Sequence, residues 1–94
     1  MLKISVVESP RRRRLIVEGK LIEPWAGELT RAWERARTDL NGRDLVVDLT
    51  GLTAVGPDGE TVLLQLMRER VKLRCGVFMK VLIKGLRRRL STSH

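Results

Sequence analysis

The spacing of apolar residues changes several times along the chain, and this pattern predicts strands that alternate with helices. Two runs rich in β-branched residues, Lys3–Val7 and Leu15–Gly19, are separated by a segment that contains the turn signal Ser9-Pro10. Together they predict a β-hairpin. The run Asp44–Leu49 is apolar at Leu45, Val46, Val47 and Leu49, which predicts a central strand covered on at least one face.

A helical spacing of apolar residues begins at Trp25, with charged residues on the other side of the helix. Asn41-Gly42 is expected to end this helix, because glycine adopts the left-handed conformation common after a helix C-terminus. A tryptophan stripe could also form a binding groove, but at this spacing we expect it to belong to the core. The apolar positions are Trp25, Leu29, Ala32, Trp33, Ala36 and Leu40.

A second, short helix is predicted from Gly59 to Arg70, after Pro57-Asp58-Gly59. The segment that follows permits two interpretations, because Val77–Ile83 is compatible with a strand while its apolar residues also recur at helical spacing. We adopt a strand at residues 71–75, a break at Gly76 and a helix from about Phe78. The helical positions are Met79, Leu82, Ile83, Leu86 and Leu90.

The predicted order of elements is therefore ββαβαβα, and the fold class is α/β. We expect a four-stranded mixed sheet whose first strand is antiparallel and whose other strands are parallel. Right-handed crossovers between neighbouring strands place the helices mainly on one face. A chain of 94 residues has enough surface for one modest core, so we expect a single domain over residues 1–94.

Composition narrows the possible functions. With 43% hydrophobic and 32% charged residues, the chain has the make-up of a globular domain, and it contains no apolar run long enough to span a membrane. No secretory leader is apparent, so we expect a cytoplasmic protein. Cys75 is the lone cysteine and His94 the lone histidine, which leaves no disulfide, metal cluster or Cys/His nucleophilic pair. We therefore predict that the protein is not an enzyme and needs no cofactor.

The formal net charge is +8, and much of the positive charge lies in two blocks. Such blocks can hold phosphate backbones or steer an acidic protein, although solvated charge at a turn and a chain end is the simpler interpretation. Because aromatic residues that could stack on bases are almost absent, we expect nucleic-acid binding to be non-specific at most. The blocks consist of Arg11, Arg12, Arg13 and Arg14, and of Arg87, Arg88 and Arg89 next to Lys84.

Four stretches resemble the STAS domain, which occurs in sulphate transporters and in bacterial anti-sigma factor antagonists. They are LIVEGKL at 15–21, GELTRAW at 27–33, LVVDLTGLTAVGPDG at 45–59 and LRCGV at 73–77. The resemblance covers nearly the whole chain. It implies a STAS-like fold and a role in bacterial signalling and transcription regulation.

In the antagonists of this family, a loop of the form Asp-Ser-Ser/Thr-Gly is phosphorylated on its second hydroxyl residue by a kinase that is also the anti-sigma factor. The matching residues here are Gly56, Pro57, Asp58 and Gly59, of which only the last agrees. Asp58 thus occupies the phosphoacceptor position with a fixed charge of −1, against about −1.5 to −2 for a phosphate. We expect no switch by serine phosphorylation. The residues alone also predict a compatible role for Asp58 as a helix N-cap that accepts an N–H from Glu60 or Thr61.

The resemblance implies a non-catalytic protein–protein interaction module whose partner is an anti-sigma factor or a kinase-like regulator. A homodimer is also compatible with it. Three alternatives stay open: a STAS-type accessory subunit of a membrane transporter, a basic domain that binds nucleic acid non-specifically, and a degenerate fold that only oligomerises. The expected partner-binding residues are Gly56, Pro57, Asp58, Gly59 and Thr61.

Overall fold

The computed structural model describes residues 1–92, so His94 lies outside the described residues. Within that range the chain forms seven elements in the predicted order ββαβαβα. They are β1 (Leu2–Glu8), β2 (Arg12–Leu21), α1 (Ala26–Ala36), β3 (Asp44–Val55), α2 (Pro57–Arg68), β4 (Lys72–Arg74) and α3 (Val77–Thr92).

The four strands form one mixed sheet in the order β1-β2-β3-β4. Strand β1 is antiparallel to β2, whereas β2–β3 and β3–β4 are parallel pairs. The predicted α/β fold class with an antiparallel first strand is therefore confirmed. The last pair is short, because β4 contributes only three residues opposite Val46–Asp48.

The core lies between one face of this sheet and the three helices. Alternate strand residues such as Leu15, Val17 and Val47 are fully buried, and they face apolar side chains from all three helices. Residues on the other face, such as Glu18 and Thr50, are exposed. The helices thus cover one face of the sheet, as their spacing and the crossover rule predict. The main helical contributors to the core are Leu29, Trp33, Leu63, Leu66, Met79, Ile83 and Leu86.

Helix α1 ends at Ala36 and does not reach Leu40, so the predicted C-terminal boundary is wrong. At this end of the helix, Arg13 Nη1 donates hydrogen bonds to the carbonyl oxygens of Ala36 at 2.8 Å and Thr38 at 2.7 Å, and the backbone of Asp39 has a positive φ of 55°. These bonds satisfy carbonyl groups that the helix leaves without partners at its end. Gly42 does have a positive φ of 84°, but it lies in the turn after the helix.

The two tryptophans differ in how deeply they are buried. Trp33 is buried, with 4% of its surface exposed, and the Arg37 guanidinium lies 4.8 Å from the centre of its ring. Trp25 precedes the first residue of α1 and is only partly buried against the core. The prediction of a core role is thus confirmed for Trp33, and it holds only in part for Trp25.

Other boundaries also differ from the sequence prediction. Strand β3 continues to Val55, and α2 begins at Pro57 and ends at Arg68, two residues earlier than predicted at each end. Proline fits the first helical position, because its fixed φ suits a helix and its missing N–H is not needed there. After β4 the chain forms α3, so the helical interpretation of this segment is confirmed over the strand alternative for Val77–Ile83.

Candidate partner-binding site

The candidate site lies where the parallel strands β2 and β3 end, an edge of the sheet that we call the carboxyl edge. Leu21 pairs with Val55 there, and the Gly56 amide donates a hydrogen bond to the Leu21 carbonyl oxygen at 3.0 Å. Helices α1 and α2 both begin just beyond these strand ends. The segments that follow β2 and β3 therefore meet side by side.

Close packing accounts for both glycines of the loop. A Cβ atom on Gly59 would overlap the Leu21 carbonyl oxygen and lie 2.9 Å from Val55 Cγ1. A Cβ atom on Gly56 would lie 3.2 Å from Ile22 Cγ2. The absence of side chains at these positions lets the start of α2 approach the end of β2 closely.

Asp58 is not the N-cap of α2, so that prediction is wrong. The N-cap is Gly56, which has extended backbone geometry and forms no side-chain capping bond. Its carbonyl oxygen accepts a hydrogen bond from the Glu60 amide at 2.9 Å. Because the helix begins at Pro57, the Asp58 carboxylate is exposed within the first turn. There it still lies near the positive end of the helix dipole.

The residue that faces Asp58 was not predicted from the sequence. The carboxyl group of Glu23, two residues beyond the end of β2, forms a hydrogen bond with the Asp58 carboxyl group. This bond, and then the repulsion between the two like charges, raise the pKa of Glu23 above its ordinary value. The rule that adjacent parallel strands end at one edge is the signal that could have paired the two residues.

Glu23 and Asp58 border a shallow hollow of about 340 Å³ between the starts of α1 and α2. Thr61 also lines this hollow, and its hydroxyl donates a hydrogen bond to the Pro57 carbonyl oxygen at 3.2 Å. Of the predicted partner-binding residues, Asp58 and Thr61 line this acidic depression, whereas Gly56, Pro57 and Gly59 belong to the adjoining loop and do not line it. The remaining lining residues are Pro24, Ala26, Gly27 and Val62.

The first arginine block lies at the opposite edge of the sheet. Arg13 binds the end of α1 and also pairs with Glu8, its Nε lying 2.9 Å from Oε1. Arg43 binds the same Glu8 oxygen at 2.6 Å. Arg13 therefore has a structural role, whereas Arg11 and Arg12 are exposed at the hairpin turn.

The fourth arginine of this block, Arg14, projects from the uncovered face of the sheet near the buried Asp48. Burial acts to raise the pKa of Asp48. The Thr50 hydroxyl and amide donors, at 2.6 and 3.0 Å, and the charges of Arg14 and Arg74 outweigh that effect, so the pKa is lowered. This charge cluster is distant from the carboxyl edge.

The second arginine block approaches the candidate site. Arg89 Nη1 lies 2.9 Å from Glu60 Oε1, in the first turn of α2. Arg87 instead lines a cleft beside Cys75, a thiol whose pKa is raised mainly by burial. The two blocks therefore belong to different surfaces and do not form one basic patch.

Residues 1–92 contain no group of three or more His, Cys, Asp or Glu side chains placed to hold a metal ion. Across the same residues, no helix combines the length and the apolar character that crossing a bilayer requires.

Comparison with known proteins identifies the fold. No protein-family model and no curated protein sequence matches the chain. Among solved structures, it is similar to the crystal structure of an antisigma-factor antagonist STAS domain from Rhodobacter sphaeroides, with a TM-score of 0.51, 20% identity, and coverage of 79% of this chain and 84% of that one. It is also similar to the structure of Mglu, with a TM-score of 0.57 and 19% identity. That match covers 76% of this chain but only 18% of Mglu. The chain therefore has a STAS-like fold.

Proposed function

We propose that the protein is a non-catalytic interaction module of bacterial signalling, which docks a protein partner on the carboxyl edge. The observation that carries this proposal is the meeting of Asp58 and Glu23 beside the first turn of α2, in a STAS-like fold. The similar domain from Rhodobacter sphaeroides is an antisigma-factor antagonist. An anti-sigma factor or a kinase-like regulator is accordingly the class of partner we propose.

The rigidity of the loop supports this role. Gly59 packs against Leu21, Gly56 bonds to the same residue, and Pro57 fixes the first helical turn. A surface that is already held in one conformation loses little conformational entropy when a partner binds. The carboxyl edge is thus suited to recognition without a large change of shape.

Asp58 gives this edge an acidic side chain that needs no phosphorylation. Asp58 carries a carboxylate in the first turn of α2, where a hydroxyl would be needed for phosphorylation by a serine/threonine kinase. The module therefore acts unswitched by serine phosphorylation. Its partner needs hydrogen-bond donors or basic side chains opposite the hollow, because an acidic depression repels acidic surfaces.

The test is affinity capture from extracts of the cells that make the protein, with the wild type and two variants. Asp58→Asn removes the charge at the carboxyl edge. Asp44→Asn removes the same charge from an exposed aspartate at the opposite edge, where it pairs with exposed Lys72. A partner that the wild type and Asp44→Asn retain, and that Asp58→Asn retains poorly, supports the proposal. Equal retention by all three proteins contradicts it.

The identity of the captured protein separates the remaining functions. An anti-sigma factor or kinase-like protein supports the signalling role, whereas a transporter component favours the accessory-subunit alternative. If only further copies of the chain are retained, the domain acts by oligomerising. Incubating Asp58→Ser with a captured kinase, followed by detection of phosphoserine, then tests whether a hydroxyl at this position restores the switch.

A further inference from the structure

The net positive charge of the protein is confined to its last quarter. Residues 1–69 contain eleven basic and eleven acidic residues, whereas residues 70–94 contain eight basic residues and no acidic one. The entire formal charge of +8 therefore belongs to β4, α3 and their flanking residues. A surface with one sign of charge attracts an oppositely charged surface over a distance set by the salt concentration.

The first turns of helix α3 are apolar on the outer side as well as on the inner side. Met79, Ile83 and Leu86 are buried against the core. At 100° per residue, Val77 and Val81 lie on the opposite side of the helix, where they are 84% and 75% exposed. Phe78 lies next to them and is 54% exposed. Neighbouring apolar residues that are exposed together on a surface helix can mark an interaction site.

Cations border this apolar strip on one side. Lys80, Lys84 and Arg87 follow one another at helical spacing and line a cleft of about 430 Å³ between α3 and β4. None of the ion pairs formed within residues 1–92 includes these three side chains. The outer side of α3 thus combines apolar insertion groups with cations that have no anionic partner in the described part of the chain.

We propose that α3 binds the surface of an anionic phospholipid bilayer, with Val77, Phe78 and Val81 inserted at the acyl boundary. Lys80, Lys84 and Arg87 then contact lipid phosphates. A helix lying in the interface needs an apolar strip and adjacent basic residues, and the lack of acidic residues removes repulsion from the lipid surface. A nucleic acid would contact the cations but gain nothing from exposed valines. An acidic protein is the competing occupant.

The test is co-sedimentation of the intact protein with vesicles of phosphatidylcholine alone, or of phosphatidylcholine mixed with phosphatidylglycerol. We expect binding to the mixed vesicles only, and a loss of binding as added salt shortens the range of electrostatic attraction. Lys80→Gln/Lys84→Gln/Arg87→Gln is expected to weaken binding by at least about tenfold. Lys3→Gln/Arg11→Gln/Arg12→Gln removes the same charge from exposed residues elsewhere, and should change binding by less than about twofold.

A second variant tests insertion separately from charge. Val77→Ser/Val81→Ser leaves the net charge unchanged and alters only exposed side chains, so the fold should persist, as circular dichroism can check. We expect this variant to bind the mixed vesicles several-fold more weakly than the wild type.

Three results would overturn the proposal. The first is a wild-type protein that does not sediment with mixed vesicles at low salt. The second is unchanged binding by Val77→Ser/Val81→Ser, which would reduce the effect to general charge attraction. The third is equal weakening by the two triple variants. If instead polyglutamate binds the wild type in a manner that depends on Val77 and Val81 while vesicles do not, the face belongs to an acidic protein.

Discussion

The carboxyl edge and the C-terminal quarter of the protein, β4 with α3, are built under different constraints. At the carboxyl edge, Gly59 has no room for a side chain, and Asp58 is paired with Glu23. In the C-terminal quarter, β4 pairs over three residues only, and α3 presents Val77 and Val81 to solvent. Internal contacts thus explain which residues occupy the carboxyl edge. They do not explain the exposed apolar residues on the outer side of α3.

This difference separates two kinds of functional surface. A rigid edge whose residues are fixed by packing can present a fixed pattern of hydrogen-bond acceptors to one partner. A helix whose outer residues are free to change without strain can serve a less specific surface. The residues of the two regions should therefore differ in how much they contribute to the free energy of unfolding.

The largest contrast is expected between a buried and an exposed apolar residue. Trp33→Ala should lower the free energy of unfolding by about 3–5 kcal/mol, because it leaves a large cavity in the core. Val81→Ala in α3 should change it by less than about 0.5 kcal/mol. Urea denaturation measures both values. A loss below about 1 kcal/mol for Trp33→Ala would place its side chain outside the core.

Two glycines give the second contrast. Gly59→Ala should destabilise the protein by about 1–3 kcal/mol, because the new methyl group overlaps the Leu21 carbonyl oxygen and α2 must move. Gly85→Ala should stabilise it by about 0.5–1 kcal/mol, since that position lies within α3 and a Cβ atom there meets no atom within 4 Å. Thermal unfolding of the two variants gives shifts of opposite sign. Similar shifts would contradict the close approach at Gly59.

The same contrast explains how far the sequence could predict the structure. Periodicity located all seven elements, because apolar spacing reflects which side of each element is buried. It misplaced the end of α1, since the bonds from Arg13 come from a distant strand. Residue type also predicted Asp58 as the N-cap of α2, because either Gly56 or Asp58 can precede a helix. Only the packed structure decides between them. Glu23 was missed because its partner lies far away in sequence.

A smaller effect is expected where the two regions meet. Arg89 and Glu60 join α3 to the first turn of α2, with side chains 60% and 33% exposed. A double-mutant cycle with Glu60→Gln and Arg89→Gln should give a coupling energy of about 0.2–1 kcal/mol, as for other solvent-accessible ion pairs. The cycle cancels whatever else each side chain contributes. A coupling energy of zero would mean that the regions are not linked by this pair.

The last prediction concerns protons at the carboxyl edge. Because the bond to Asp58 raises the pKa of Glu23 above the ordinary glutamate value of 4.5, folding favours the protonated form of Glu23. The stability that the pair contributes is therefore complete at low pH and is lost as pH rises through the raised pKa. The contribution of Asp48 to the pH dependence has the opposite sign, because its pKa is lowered. The stability that Asp48 contributes is lost as pH falls.

Asp58→Asn separates these contributions. It should return the pKa of Glu23 towards its ordinary value, as carbon-detected NMR titration of the Glu23 carboxyl can show. It should also flatten the fall of unfolding free energy with rising pH above 4.5. Asp44→Asn, at the opposite edge, should leave the pKa of Glu23 unchanged and serves as the control. If the pKa of Glu23 is the same in all three proteins, the Asp58 carboxyl does not perturb Glu23. The carboxyl edge would then present two independent charges to its partner, and the partner's preference for them would be insensitive to pH over this range.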